Sequence, residues 1–304
     1  MSIIPENTIK IKAPAKINLS LDVTGRRNDG YHNLEMVMQA ISVYDELEIS
    51  ATPEITGIPV TFNMDKELPD KIPPQKNLVY KAALLMKGKY NIKNSFNIFL
   101  KKNIPAAAGL AGGSSDCAAT LIAINRLCRL GLTDEELCRT GVTLGADVPY
   151  CIKKGTMLCK GTGDILSPLP PLKETWLILV KPGISVSTAH VYKNLDLKKL
   201  TYHPDTAGIV DAIKNNNIKS IASCLSNVLE TVTAKEYPVI NEIKKLLSDN
   251  GAAGSLMSGS GPSVFGIFEN KEMAESAFHK MQHYKQKNPE YKETYIALCH
   301  TVQS

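Results

Sequence analysis

From Lys16 to Val23 the chain reads KINLSLDV, with Ile17, Leu19, Leu21 and Val23 alternating strictly with Lys16, Asn18, Ser20 and Asp22. That period predicts a half-buried strand whose polar side chains share one face. RRNDG at 26–30 is a turn signal, and MVMQAI and ELEIS beyond it predict more strand, so the opening region reads as antiparallel and hairpin-rich. LVYKAALLM, preceded by Asn77 as a capping residue, predicts a helix. FNIFLKK at 96–102 alternates again, and DCAATLIAINRLCRL places Ala118, Leu121, Ile122, Asn125 and Cys128 at helical spacing. TDEE then offers Thr133 as N-cap with Glu136 three residues on, a capping box.

Between 164 and 175 the stretch DILSPLPPLKET is proline-rich and has no period, which predicts a boundary between residues 1–163 and 164–304. Beyond it come a strand (WLILV), several helical patterns, the small-residue segment GSLMSGSGPSVFGIF leading into a strand, and a closing helix over roughly 271–284. Strands and helices do not alternate steadily, so the pattern predicts an α+β fold instead of a doubly wound sheet.

Composition narrows the classes. With 43% apolar and 21% charged residues the 304-residue chain is of soluble globular type, with length for about two domains. The net charge of +5 comes from scattered lysines and favours an anionic ligand only weakly. No basic cluster interleaved with aromatics points to nucleic acid. Seven cysteines without a CxxC pair predict free thiols in a reducing compartment. MSIIPENTIKIK lacks the basic and apolar regions of a leader, and WLILV is too short to span a bilayer, so a cytoplasmic protein with no membrane partner is expected. His279 and His283 stand at i, i+4, but nothing nearby completes a zinc site, and Trp176 reads as core.

The candidate chemistry starts at PAAAGLAGGSSD, 105–116, between a predicted strand and a predicted helix. A helix start presents unpaired N–H groups and about half a positive charge, and small residues let phosphate oxygens reach them. Ser114 and Ser115 add hydroxyls for phosphate or a metal ion. The alternative is a tight turn with a serine N-cap. Neither GxxxxGK[ST] nor a dinucleotide GxGxxG is present, and HRD and DFG are missing. Farther on, Asp147 in GADVPY follows a helix end and a glycine; Val148-Pro149 predicts an extended chain that holds its carboxylate beside a pocket, the other reading being a turn aspartate. Lys16 and Asn18, two apart on a strand, face the same side.

PAAAGLAGGSSD resembles the glycine-rich signature of the GHMP kinases, the superfamily of galactokinase, homoserine kinase and mevalonate kinase. The resemblance continues in order through APAKINLSLDVTGRRNDGYHNLEMV at 13–37, LGADVPYCIKKGT at 144–156 and GSLMSGSGPSVFG at 254–266. It implies a two-domain fold, an N-terminal domain like ribosomal protein S5 domain 2 and a C-terminal α/β domain, with the active site in the cleft between them. It also implies ATP with Mg²⁺, bound through Pro105, Ala106, Ala107, Ala108, Gly109, Leu110, Ala111, Gly112, Gly113, Ser114 and Ser115, with Lys16 and Asp147 as the catalytic pair. The branch it is most similar to belongs to the non-mevalonate isoprenoid route and phosphorylates a small cytidine-diphosphate-linked alcohol. Asn18, Tyr31, His32, Thr188 and Tyr192 stand at the matching substrate positions. The protein's direct metal ligand is left unassigned, and a monomer or weak homodimer is expected. A homoserine- or mevalonate-type kinase, or a non-catalytic nucleotide- or RNA-binding module, remains the alternative. Two positions depart from the signature: Ala107 and Ala111 replace glycine, which predicts ordinary negative φ there.

Overall fold

The computed structural model describes residues 7–55, 57, 59–65 and 73–303; residues 1–6, which carry part of the expectation about a leader, lie outside them. The chain groups into two compact units. The first takes in the described residues of Met1–Ala15, Val43–Ala106 and Ala111–Lys153, and the second those of Lys16–Ser42, Ala107–Leu110 and Lys154–Ser304. Strands β1 (Thr8–Arg26) and β2 (His32–Thr52) are so long that each contributes to both.

In the first unit β3 (Val60–Met64) pairs in parallel with β4 (Ser95–Lys101), and β4 pairs antiparallel with β2 from Glu46 to Thr52. Helix α1 (Leu78–Lys89) begins where the Asn77 side chain accepts from the Val79 N–H, a cap worth about 1 kcal/mol. It packs on α2 (Gly112–Leu127), whose Cys117–Ile124 stretch is wholly buried. The Thr133 capping box opens α3 (Asp134–Gly141), and α4 (Val148–Lys153) packs against α2 and α3. Phe96, Ile98 and Leu100 of β4 and Leu47 and Ile49 of β2 fill the core.

In the second unit β5 (Thr156–Gly161) pairs antiparallel with β2 and with β6 (Ile165–Pro168). A separate antiparallel sheet has the order β11-β7-β10-β9, from β7 (Trp176–Lys181), β9 (Gly254–Met257), β10 (Val264–Phe268) and β11 (Tyr295–His300). Its helices are α5 (Thr188–Asn194), α6 (Thr206–Lys214), α7 (Ile218–Cys224), α8 (Glu230–Glu236), α9 (Val239–Asp249) and α10 (Lys271–Lys287). The two-residue strand β8 (Ser226–Asn227) pairs in parallel with β1.

The α+β expectation agrees with these sheets, with four differences. MVMQAI and ELEIS belong to one strand, and the parallel pairs β3·β4 and β1·β8 interrupt the expected antiparallel order. The β11 segment, YIALCH, has too weak an alternation to announce itself. The largest difference is at β1, which is buried on both faces from Ala13 to Val23. Its polar side chains are covered because each finds a partner within its unit. Ser20 Oγ accepts from the Val37 N–H at 3.2 Å, and Asp22 meets His203 Nδ1 at 2.9 Å. All seven cysteines are free, and no helix among the described residues is long and apolar enough to cross a membrane.

Candidate active site

In the first unit, β4 feeds a loop that ends in α2. The helix is not capped by a serine: its N-cap is Ala111, in the left-handed region at φ 55° with no side-chain bond. Ala107 is also left-handed, at φ 48°, so the expectation of ordinary φ at both alanines is overturned. The loop keeps its glycine-type turns and accepts a cost of about 1–2 kcal/mol at each, which the smallest side chain with a Cβ keeps low. Among the described residues the N–H groups of Gly112, Gly113 and Ser114 have no acceptor, whereas Ser115 N–H bonds to Ala111 O at 2.9 Å. A Cβ on Gly113 would meet nothing closer than 3.8 Å, so its side of the helix start is open. Three free amides at the positive end of a sixteen-residue helix fit an oligophosphate.

The two serines divide. Ser115 is buried and its hydroxyl donates to Pro14 O at 2.7 Å, so only its backbone belongs to the anion-facing turn. The Ser114 hydroxyl has no hydrogen bond among the described residues and lies close to Gly145, where an added Cβ would stand 3.6 Å from it. A free hydroxyl beside free amides is a donor set that suits phosphate and, through oxygen, a hard cation such as Mg²⁺. Pro105 and Gly109 are half-buried, Ala106 and Ala107 exposed, and Ala108 and Leu110 buried as packing residues.

Asp147, half-buried, immediately precedes α4. Val148 and Pro149 do not extend the chain as expected; they form the first turn of that helix, where proline has no N–H to lose. Asp147 is therefore held at a helix start, its carbonyl accepting from Cys151 N–H at 3.0 Å.

A cluster the sequence reading missed lies behind the loop. Lys102 Nζ donates to Asp45 Oδ2 and, at 2.8 Å, to Asp116 Oδ2; Asp45 Oδ1 accepts from the N–H groups of Asn103 and Ile104. Asp116 Oδ1 is buried with no partner among the described residues. Burial pushes the Asp116 carboxyl up to about 8 against the pull of Lys102, with Asp45 adding to the rise. Burial disfavours the charge on Lys102, but Asp116 and Asp45 outweigh it and hold that amine above its usual range. A Cβ on Gly112 would stand 3.4 Å from Lys102 Nζ and 3.0 Å from Ile104 Cγ2, so the cluster sits directly under the helix start. The signal was present: in Val43, Asp45, Leu47, Ile49 an aspartate occupies an inward position of an apolar alternation.

In the second unit Lys16 is 5% exposed, and its ammonium donates to Asn18 Oδ1 at 2.8 Å and to Gly109 O at 3.0 Å. Asn18 is fully buried and its Nδ2 reaches Met36 Sδ at 3.2 Å, so it orients Lys16 instead of presenting itself to a ligand. Gly109 O also accepts from Ser258 Oγ at 3.0 Å. Gly109 has φ +73°, and a Cβ there would lie 2.2 Å from Ser258 O, so here glycine permits one backbone to touch another. Ser258, Gly259 and Ser260 lie in the GSLMSGSGPSVFG segment, whose residue types alone assign them no role; Ser260 Oγ bonds Thr188 Oγ1 at 2.8 Å, and a Cβ on Gly259 would lie 3.4 Å from Lys16 Nζ.

The same unit contains a pocket of about 360 Å³ lined by Tyr31, His32, Leu34 and Tyr192, with Arg26 and Lys193 among its other walls. That size suits a small organic ligand. The His32 and Tyr192 rings stack at 5.3 Å and 29°, and Tyr31 is 65% exposed. Burial, and secondarily the charge of Arg26, lowers the His32 pKa, which keeps its ring neutral and able to both donate and accept. Tyr31, His32 and Tyr192 are thus brought together; Thr188, a turn earlier on α5, faces Ser260. Lys16 and Asp147 belong to different units.

Unpaired amides at a helix start that follows a strand suit the phosphates of a nucleotide. The models for the GHMP kinases N terminal domain and the GHMP kinases C terminal region match residues 77–155 and 209–286. The 4-diphosphocytidyl-2-C-methyl-D-erythritol kinase of Clostridium novyi is 47% identical over 94% of this chain and 98% of its own. That of Alkaliphilus oremlandii is also 47% identical, over 91% and 94%. A crystal structure of 4-(cytidine 5'-diphospho)-2C-methyl-D-erythritol kinase superimposes with a TM-score of 0.78 at 28% identity, over 96% of this chain and 99% of that one. The chain belongs to the GHMP kinases, and within them to the group formed by these 4-diphosphocytidyl-2-C-methyl-D-erythritol kinases. It has their two-domain α+β fold.

Proposed function

We propose that the protein transfers the γ-phosphoryl group of ATP to the 2-hydroxyl of 4-diphosphocytidyl-2-C-methyl-D-erythritol, a step toward isoprenoid precursors. The observation that carries this is 47% identity, along 94% of the chain, to a kinase named for that substrate. The free amides of Gly112, Gly113 and Ser114 receive the phosphate tail, and the Ser114 hydroxyl would hold Mg²⁺ or a phosphate oxygen. Mg²⁺ held there would supply charge neutralisation on the transferred group. Asp147 takes the proton of the substrate hydroxyl as its oxygen bonds to the γ-phosphorus and the bond to the departing ADP oxygen breaks. The Lys16 ammonium offsets negative charge that develops on the acceptor oxygen. Tyr31 and Tyr192 stack the cytosine, and neutral His32 pairs with its polar edge. Thr188 and Asn18 complete the substrate side, Asn18 by holding Lys16.

In the same proposal residues 1–163 form the domain with the phosphate loop and 164–304 the second domain. The protein works in the cytoplasm as a monomer or weak dimer on a small molecule, without nucleic acid or membrane. The test is transfer of labelled γ-phosphate from ATP to the cytidylated methylerythritol, with homoserine and mevalonate as controls. Label on that acceptor alone is expected; label on either control instead reassigns the substrate.

A further inference from the structure

Asn227 belongs to none of the recognised motifs, yet it is 1% exposed and lies on β8 opposite Leu21 of β1. Its Nδ2 donates to Met257 O and to Gly259 O, each at 2.8 Å, and its Oδ1 accepts from Leu229 N–H at 3.0 Å. Both hydrogens and the acceptor are engaged. Between the two carbonyls it grips lies Ser258, whose hydroxyl donates to Gly109 O, the oxygen that also receives the Lys16 ammonium.

We infer that Asn227 is a positioning residue for the Lys16 ammonium, acting through Ser258 and the Gly109 carbonyl; this rests on the catalytic role of Lys16 in the proposed function. Within its unit Lys16 is held by neutral oxygens, so the direction of those oxygens, not a counter-ion, decides where its charge points. Gly109 and Ser258 touch backbone to backbone, with no room for a Cβ, so a displaced turn moves Gly109 O with it. Asparagine suits the position because one short side chain must supply two donors and one acceptor. Aspartate keeps the shape and turns both donors into an acceptor facing two carbonyls. Glutamine is longer by a methylene.

The test is a set of double-mutant cycles in the phosphate-transfer assay, with circular dichroism and thermal melting on each variant. Asn227→Asp is expected to lower kcat about thirtyfold, with KM for both substrates within about threefold, as a misplaced catalytic group does. Ser258→Ala, which deletes one hydroxyl, is expected to lower kcat about fivefold. In a Lys16→Ala background neither substitution is expected to lower kcat further, because the group through which they act is gone. Wild-type kcat in both single variants, or equal losses with and without Lys16, overturns the inference. Should Asn227→Asp fail to fold, the Ser258→Ala cycle decides by the same criterion. Near-wild-type turnover of Lys16→Ala itself overturns the assignment of Lys16, and the inference with it.

Discussion

Lys16 is buried and Lys102 nearly so, with 11% of its side chain exposed, yet the two are held in opposite ways. Lys102 bridges two carboxylates beneath the start of α2. Lys16, in the other unit, is held by a side-chain amide and a backbone carbonyl. An ammonium bonded to two carboxyl groups, one of them shifted toward its protonated form, is fixed between them, which suits a role in shaping the helix start. One held only by neutral dipoles keeps its charge available to a substrate, at the cost of weaker electrostatic support. Burial alone therefore does not separate a lysine that shapes the fold from one proposed to act on substrate; the charge of their partners differs.

That contrast can be broken in several ways. The largest effect on turnover is expected from Asp147→Asn, which removes the proposed proton acceptor and should lower kcat by about two to four powers of ten while ATP and substrate still bind. Near-wild-type steady-state rates would end that assignment. Exchanging each lysine for methionine separates the two roles. Lys102→Met leaves the buried carboxyl groups of Asp45 and Asp116 without their cation and is expected to cost about 3–5 kcal/mol in denaturant unfolding. Lys16→Met leaves only neutral acceptors unpaired, so a stability loss of about 1–3 kcal/mol is expected, with a far larger loss of kcat. Equal destabilisation by both would erase the contrast.

Smaller effects sharpen it. Gly112→Val places a branched side chain against Ile104 and Lys102 and narrows the helix start; KM for ATP is expected to rise about tenfold, equivalent to about 1.4 kcal/mol. An unchanged ATP dependence would count against the loop assignment. The last prediction concerns pH. The Asp116 carboxyl is raised to about 8 in the folded protein and ordinary in the unfolded chain, so folding favours its protonated form. Its contribution to stability is full below the ordinary carboxylate range and is lost as pH rises to about 8. Melting temperatures measured from pH 5 to 9 should therefore fall more for the wild type than for Asp116→Asn; parallel curves would refute this.

Much of this was legible locally. The Asn77 cap, the Thr133 capping box and the strand-loop-helix order around PAAAGLAGGSSD depend on neighbours in the chain, and the structure has them all. Other features misled. Polar alternation in β1 implied a wet face, because sequence period shows which residues share a side but not what covers it. Val148-Pro149 implied extension, although a proline in the first helical turn satisfies the same local rules. Ala107 and Ala111 implied ordinary φ, but the turns around them override the residue preference.

The sequence by itself determined the kind of machine: small residues before a helix, a lysine and an aspartate in motif order, and an aromatic-histidine pair, since these depend on residue type and spacing. Only the tertiary structure decided which atoms hold which. Gly109 is glycine because Ser258 O lies against it, Ser115 serves Pro14 while Ser114 stays free, and Asn227 grips a turn thirty residues away. Hydrogen bonds and close contacts between distant segments follow from where the chain returns in space, and residue period carries no record of that.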